Sequence, residues 1–115
     1  MDKTISSDLI RGHTDTIILS LLCEKDMYGY EISKTIIKRS NNLYELKEAT
    51  LYSSFKRLEN NEFIRSYWGD ESRGGRRKYY SIVPKGVSAF SKLRDEWKFA
   101  KRIIDMFVLE GEKDE

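Results

Sequence analysis

The sequence has one cysteine, one histidine and one proline among 115 residues. With Cys23 alone no disulfide can form within the chain, and with His13 alone no Cys/His metal site can be assembled from it. A Ser/His/Asp grouping is equally unsupported, because His13 stands among polar helix residues. The one Gly-Gly pair, Gly74-Gly75, lies in an arginine cluster and not in a phosphate loop. No enzymatic activity, cofactor or metal is therefore expected. Long apolar runs are missing as well: nothing approaches the ~18 residues of a membrane span, and Met1-Asp2-Lys3-Thr4 lacks the basic-then-apolar pattern of a signal peptide. The expected location is the cytoplasm, with no membrane partner. Charge of one sign is also scarce, since the formal net charge is only +2, too little to name a nucleic-acid partner by itself.

What is present is 39% apolar and 35% charged residues, the balance of one globular domain with a modest core and long solvated helices. The charge is uneven along the chain. Residues 56–78 hold seven cations and four anions, residues 84–104 six and two, and residues 105–115 one lysine against five acids. Such an acidic end, residues 110–115 above all, reads as a frayed tail that stays away from phosphates.

From about Asp8 to Cys23 the pattern predicts one helix, apolar over most of its circumference through Thr16-Ile17-Ile18-Leu19-Ser20-Leu21-Leu22. Cys23, following two leucines, reads as a buried small hydrophobe. Tyr28-Gly29-Tyr30-Glu31-Ile32 opens a second helix with Ile32, Ile36 and Ile37 on its apolar face, and Asn41-Asn42 closes it because asparagine tolerates the left-handed conformation. A third helix is expected from about Lys47 to Asn60. Leu51, Phe55 and Leu58 recur at i, i+4 and i+7 and fix its buried stripe. At 100° per residue its far side carries Ala49, Ser53, Lys56, Arg57 and Asn60, flanked by Thr50 and Tyr52. An ordinary solvated helix carries long mixed charges there; a helix that enters a DNA major groove needs short side chains at closest approach. Both readings are open from this face alone.

Next come two aromatic and β-branched stretches, Phe63–Trp68 and Lys78–Val83, read as a hairpin. Gly74-Gly75 permits positive φ in the loop between them. Arg73, Arg76, Arg77 and Lys78 gather at or beside its tip, as on a wing whose arginines reach the minor groove or flanking phosphates. Pro84 suits the first turn of a last helix running to about Leu109. There Phe90, Leu93, Trp97, Ala100, Ile104 and Phe107 are spaced +3, +4, +3, +4 and +3, the pattern of a helix–helix seam. Packing against its own domain is one reading. Yet 25 residues of helix span roughly 37 Å at ~1.5 Å each, so part of the seam is expected to meet a second copy in a two-fold homodimer. The fold class is thus mainly α with a small β-hairpin: a winged helix-turn-helix over residues 1–83 and a dimerisation helix over residues 84–109.

Taken in order, Tyr28-Gly29-Tyr30-Glu31-Ile32, Ala49-Thr50-Leu51-Tyr52, Lys56-Arg57-Leu58-Glu59, Gly74-Gly75-Arg76-Arg77-Lys78-Tyr79-Tyr80 and Lys85-Gly86 resemble the PadR family of bacterial transcriptional regulators. The resemblance is to the short form with one C-terminal helix and extends over nearly the whole chain. Glu48–Tyr52 and Ser66–Ser72 look closest to the branch that includes the lactococcal multidrug-resistance regulator. Two departures stand out, since many members have proline where Ser53 stands and glycine where Glu62 stands. The resemblance implies a dimeric repressor on double-stranded DNA, with Thr50, Tyr52, Ser53, Lys56 and Arg57 at the groove and Arg73, Arg76, Arg77 and Lys78 on the wing. It also implies that Trp97 faces its two-fold mate across an opening that admits a planar aromatic effector. Thr16, Ser20 and Cys23 form a small semi-polar stripe beside it, with Leu19 between them and Lys101 one turn beyond Trp97. A winged helix can instead serve as a protein-interaction module without sequence-specific DNA binding, and Trp97 can equally be a plain seam residue.

Overall fold

A computed structural model describes residues 4–69 and 76–109. The predicted first helix is interrupted: α1 spans Ser7–Ile10, a 3-10 turn follows at Arg11–His13, and α2 spans Thr14–Leu22. Ser6 caps α1 by accepting from the Asp8 N–H at 3.1 Å. Gly12, with open space around it, sits in the turn and supplies the weakest helix propensity of the segment. The remaining helices follow the periodicity: α3 is Gly29–Arg39, α4 is Glu48–Asn60 and α5 is Pro84–Val108. Asn41 and Asn42 end α3 with φ of 54° and 68°, as their tolerance of that region predicts.

Among the described residues three strands form the sheet, where the hairpin supplies two. Strand β1 is Met27–Tyr28, β2 is Ile64–Trp68 and β3 is Lys78–Ile82, antiparallel in the order β1-β3-β2. The register sets Met27 and Ser66 on either side of Tyr80, and Tyr28 and Tyr67 on either side of Tyr79. Two residues are too short for an alternation signal, so β1 was missed by pattern reading.

The core lies between α2, α3, α4 and one face of the sheet. Ile18, Leu19, Ile32, Phe55 and Leu58 are at most 1% exposed, and the Phe55 ring stacks on Tyr80 at 3.9 Å between centroids. That stack fixes α4 against the sheet. At the other end, α5 starts on the core: a Cβ at Gly86 would lie 2.1 Å from the Phe63 carbonyl oxygen, so only glycine lets the helix approach the start of β2 this closely. Beyond its first turns α5 leaves the body. The radius of gyration is 16.4 Å, against the roughly 13 Å expected of a compact chain this long.

Candidate nucleic-acid interface

Helix α4 has the orientation that its apolar stripe demands. Leu51, Phe55 and Leu58 are 1–2% exposed, while Ala49, Thr50, Tyr52, Ser53, Lys56, Arg57 and Asn60 are exposed. Ser53, Lys56, Arg57, Asn60 and Asn61 line a shallow hollow of about 370 Å³ on that outer side. Lys56 has no ion-pair partner among the described residues. Arg57 is different: its Nε and Nη2 donate to Asp15 Oδ2 and Oδ1, both at 2.7 Å, and Nη2 also donates to Ser54 Oγ at 3.1 Å. Hydrogen bonding to Asp15 raises the guanidinium pKa further. Ser54 is fully buried and lies three residues before Arg57, whereas Asp15 carries no sequence signal, because 42 residues separate it from Arg57.

At the hairpin, aromatic rings hold the cations. The Arg76 guanidinium lies 4.8 Å from the Trp68 ring centroid and that of Arg77 4.8 Å from the Tyr28 centroid, within the range of cation–π attraction. The Lys78 ammonium is 5.9 Å from the Tyr80 ring. Tyr79 stacks on Tyr67 at 5.7 Å and meets Tyr28 edge-on at 5.4 Å. Tyr67 in turn donates to Asp26 Oδ2 at 2.6 Å, a bond that raises the Tyr67 pKa. The Gly69 N–H donates to the Arg77 carbonyl at 2.7 Å and closes the neck of the loop. Arg73, Gly74 and Gly75 lie outside the described residues, as does the acidic tail of residues 110–115.

Helix α4 and the hairpin both pack against the start of α3, where Gly29 is buried and Tyr28 partly buried. A Cβ at Gly29 would lie 2.8 Å from the Tyr52 hydroxyl, and the preceding Tyr28 carries Arg77 on its ring. The Tyr28-Gly29 pair thus joins the two sets of exposed groups.

The seam of α5 divides in two. Phe90 and Leu93 are partly buried against the chain's own core, as the reading of the seam as packing within the domain expected for part of it. Ala100 is partly buried; Trp97, Ile104 and Phe107 are 43%, 54% and 78% exposed. The apolar surface is also wider than the seam, because Phe99, Ile103, Met106 and Val108 are exposed too.

Among the expected effector residues, Leu19 is wholly enclosed by its own core and offers nothing to a ligand. Cys23 is exposed, contrary to the expectation of burial, because it caps the C-terminus of α2, beyond the helix's buried run. Thr16 and Ser20 are partly buried, the Ser20 hydroxyl donating to the Ile17 carbonyl at 2.6 Å. Lys101 pairs with Asp105 at 3.0 Å, which offsets the charge it brings. His13, unassigned from sequence, meets Trp97 edge-on at 4.9 Å between ring centroids. Among the described residues no group of His, Cys, Asp and Glu is arranged to hold a metal, and no helix is long and apolar enough to cross a membrane.

The Transcriptional regulator PadR-like family matches residues 18–92. A transcriptional regulator from Clostridium thermocellum is 53% identical, with a TM-score of 0.84 over 91% of this chain and 99% of that one. A PadR family transcription regulator from Clostridium difficile is 41% identical, with a TM-score of 0.74 over 84% of this chain and 99% of its own. An uncharacterized protein of Lysinibacillus sphaericus is 55% identical over 104 residues, 90% of this chain and 95% of that protein. The chain belongs to the PadR-like family of transcriptional regulators, which is not a family of enzymes.

Proposed function

We propose that two copies of the chain, joined through α5, bind an operator in double-stranded DNA and repress transcription by occupying a promoter. Thr50, Tyr52, Ser53 and Lys56 of α4 enter the major groove and meet its phosphates; Arg76, Arg77 and Lys78, with Arg73 from the loop, lie along the adjacent minor groove. Two-fold related copies of α4 then meet half-sites about 34 Å apart. The observation that carries this reading is the placement of two exposed sets side by side: Tyr52, Ser53 and Lys56 on α4, with the Tyr52 hydroxyl packed over the buried Gly29, and Arg77 held on the ring of the neighbouring, partly buried Tyr28. Short groups at the centre and cations at the rim suit a groove and its phosphates.

Affinity measured against salt tests it. Each phosphate contact contributes about −0.9 to the slope of log K against log[salt]. Lys56→Ala, present twice in a dimer, is expected to weaken binding to every duplex and to make that slope shallower by about 1.8. A wild-type affinity that ignores salt ends the DNA reading, and charge reversal at Arg76 and Arg77 that leaves DNA binding intact removes the wing from it.

The finer reading places the chain in the multidrug-binding branch, with a planar aromatic molecule relieving repression from a site beside Trp97, Thr16, Ser20, Cys23 and Lys101. Its support is the exposed indole with the His13 ring at its edge. Such a ligand acts only by favouring a dimer shape whose α4 helices no longer match the half-sites. Trp68→Phe leaves Trp97 as the sole tryptophan. Titration of that variant with a broad panel of planar aromatics is expected to quench its fluorescence, and no quenching by any of them ends the effector part.

A further inference from the structure

We infer that Asp15 is a specificity-determining residue: it holds Arg57 out of phosphate contact and so caps the sequence-independent part of the protein's DNA affinity. The inference rests on the reading of α4 as the groove-entering helix. Two adjacent cations on that helix are treated differently. Lys56 is exposed and has no ion-pair partner among the described residues, whereas Arg57 is engaged through two parallel bonds of 2.7 Å to one carboxylate. A planar guanidinium binds carboxylate and phosphate with the same fork, so Asp15 occupies Arg57 as a phosphate would.

The pairing does not come from neighbours on one helix. Asp15 sits in the first turn of α2, across the groove between the helices, and the bond to Ser54 Oγ turns the Arg57 head further toward the core side. The Asp15 and Arg57 side chains are 26% and 53% exposed, so the pair is neither sealed nor inaccessible. Arg57 also borders the outer hollow that holds Ser53, Lys56 and Asn60. Once released it has DNA within reach of its side chain. Phosphate contacts carry no sequence information, and a cation freed on this helix finds a phosphate in any register on any duplex. Withholding it keeps binding to arbitrary DNA low, an arrangement that works against wrong partners instead of for the right one.

The experiment compares wild type, D15N, R57Q and the double variant on a non-cognate duplex over a range of salt, each checked for folding by circular dichroism. D15N is expected to bind about 3–10-fold more tightly at low salt, and its slope to steepen by about 1.8 for a dimer that gains two arginine contacts. R57Q is expected to keep the wild-type slope, because Arg57 makes no phosphate contact to lose. The double variant returns D15N to that slope, which a mere loss of helix–helix adhesion would not do. A D15N slope equal to or shallower than wild type overturns the inference, and so does an R57Q slope shallower than wild type; if D15N fails to fold, R57Q decides alone. Wild-type binding without salt dependence overturns the DNA reading and this inference with it. Salt-dependent wild-type binding with a shallower R57Q slope overturns this inference only.

Discussion

At Glu62 the backbone asks for glycine and the sequence supplies a charged residue. Its φ is 62°, in the left-handed region that costs a residue with a Cβ roughly 1–2 kcal/mol. A conformation that suits glycine is thus held here by a residue with a side chain. The chain still turns there, with the Glu62 N–H donating to the Glu59 carbonyl at 2.9 Å and that of Phe63 to Leu58 at 3.0 Å. What Glu62 gains in return is an exposed contact with Lys85 at 3.6 Å, a pair of the kind that contributes little. Glu62→Gly is expected to stabilise the fold by about 0.5–1 kcal/mol after the added flexibility of the unfolded chain is set against the relieved strain. Urea unfolding checks this: a midpoint equal to or below wild type contradicts it. Residue-scale expectations from the sequence succeeded where one helix's own period decides burial, as at Leu51, Phe55 and Leu58. They failed where a distant partner decides. Arg57 lies on the outer side of α4 by angle, but no periodicity within α4 can show that Asp15 waits on another helix. Cys23 was expected buried and is exposed for a related reason, since a helix that is greasy all round does not say where its buried run ends.

Among the elements, β3 carries the sheet. It is flanked by β1 and β2, and its Tyr80 is 3% exposed between Met27 and Ser66 with Phe55 stacked on its ring. Burial pushes the Tyr80 phenol up from its ordinary 10.0 to about 12, with the Glu59 carboxylate and Tyr52 adding to the shift. The folded protein thus keeps a proton that the unfolded chain releases between these values, so the unfolded state binds fewer protons and stability falls as pH rises. The contribution is whole below pH 10 and is lost as pH rises through about 12. Tyr80→Phe removes this dependence. In thermal melts from pH 8 upward the difference in Tm between the variant and wild type is expected to hold steady to about pH 10 and then shift in the variant's favour; a constant difference throughout contradicts it. Helices α3, α4 and α5 were legible because each repeats its period several times, and β2 and β3 because aromatic and β-branched residues crowd them on either side of a loop. The two-residue β1 has no period to read, and the break at Arg11–His13 falls where apolar residues are too few to define a face.

For the whole molecule, the elongated shape and the wide apolar surface on the second half of α5 have the same cause. On a lone chain Phe107 at 78%, Val108 at 66% and Met106 at 58% exposure leave a contiguous greasy patch in water, which single soluble chains rarely carry. Phe90 and Leu93 are partly buried within the chain, so on the proposed reading of α5 as a dimer seam the half that remains is what a second copy would cover. The +3/+4 spacing marked the apolar face of α5 from the sequence. Where the seam passes from the chain's own core to its partner was not legible, because both uses demand the same apolar residues. Phe107→Glu separates them. The ring touches little in one chain, so the monomer's fold is expected to be unaffected, whereas in a dimer the variant loses roughly 1.5–3 kcal/mol of burial per copy and places a carboxylate in the seam. Sedimentation at micromolar concentration is then expected to give single chains where wild type gives dimers. Affinity for a two-half-site operator is expected to collapse toward that for a single half-site, because the second contact is no longer intramolecular. A variant that sediments and binds as wild type does would mean that the partner lies elsewhere on the surface, and that two copies of α4 are held at the spacing of one helical turn by some face other than the far end of α5.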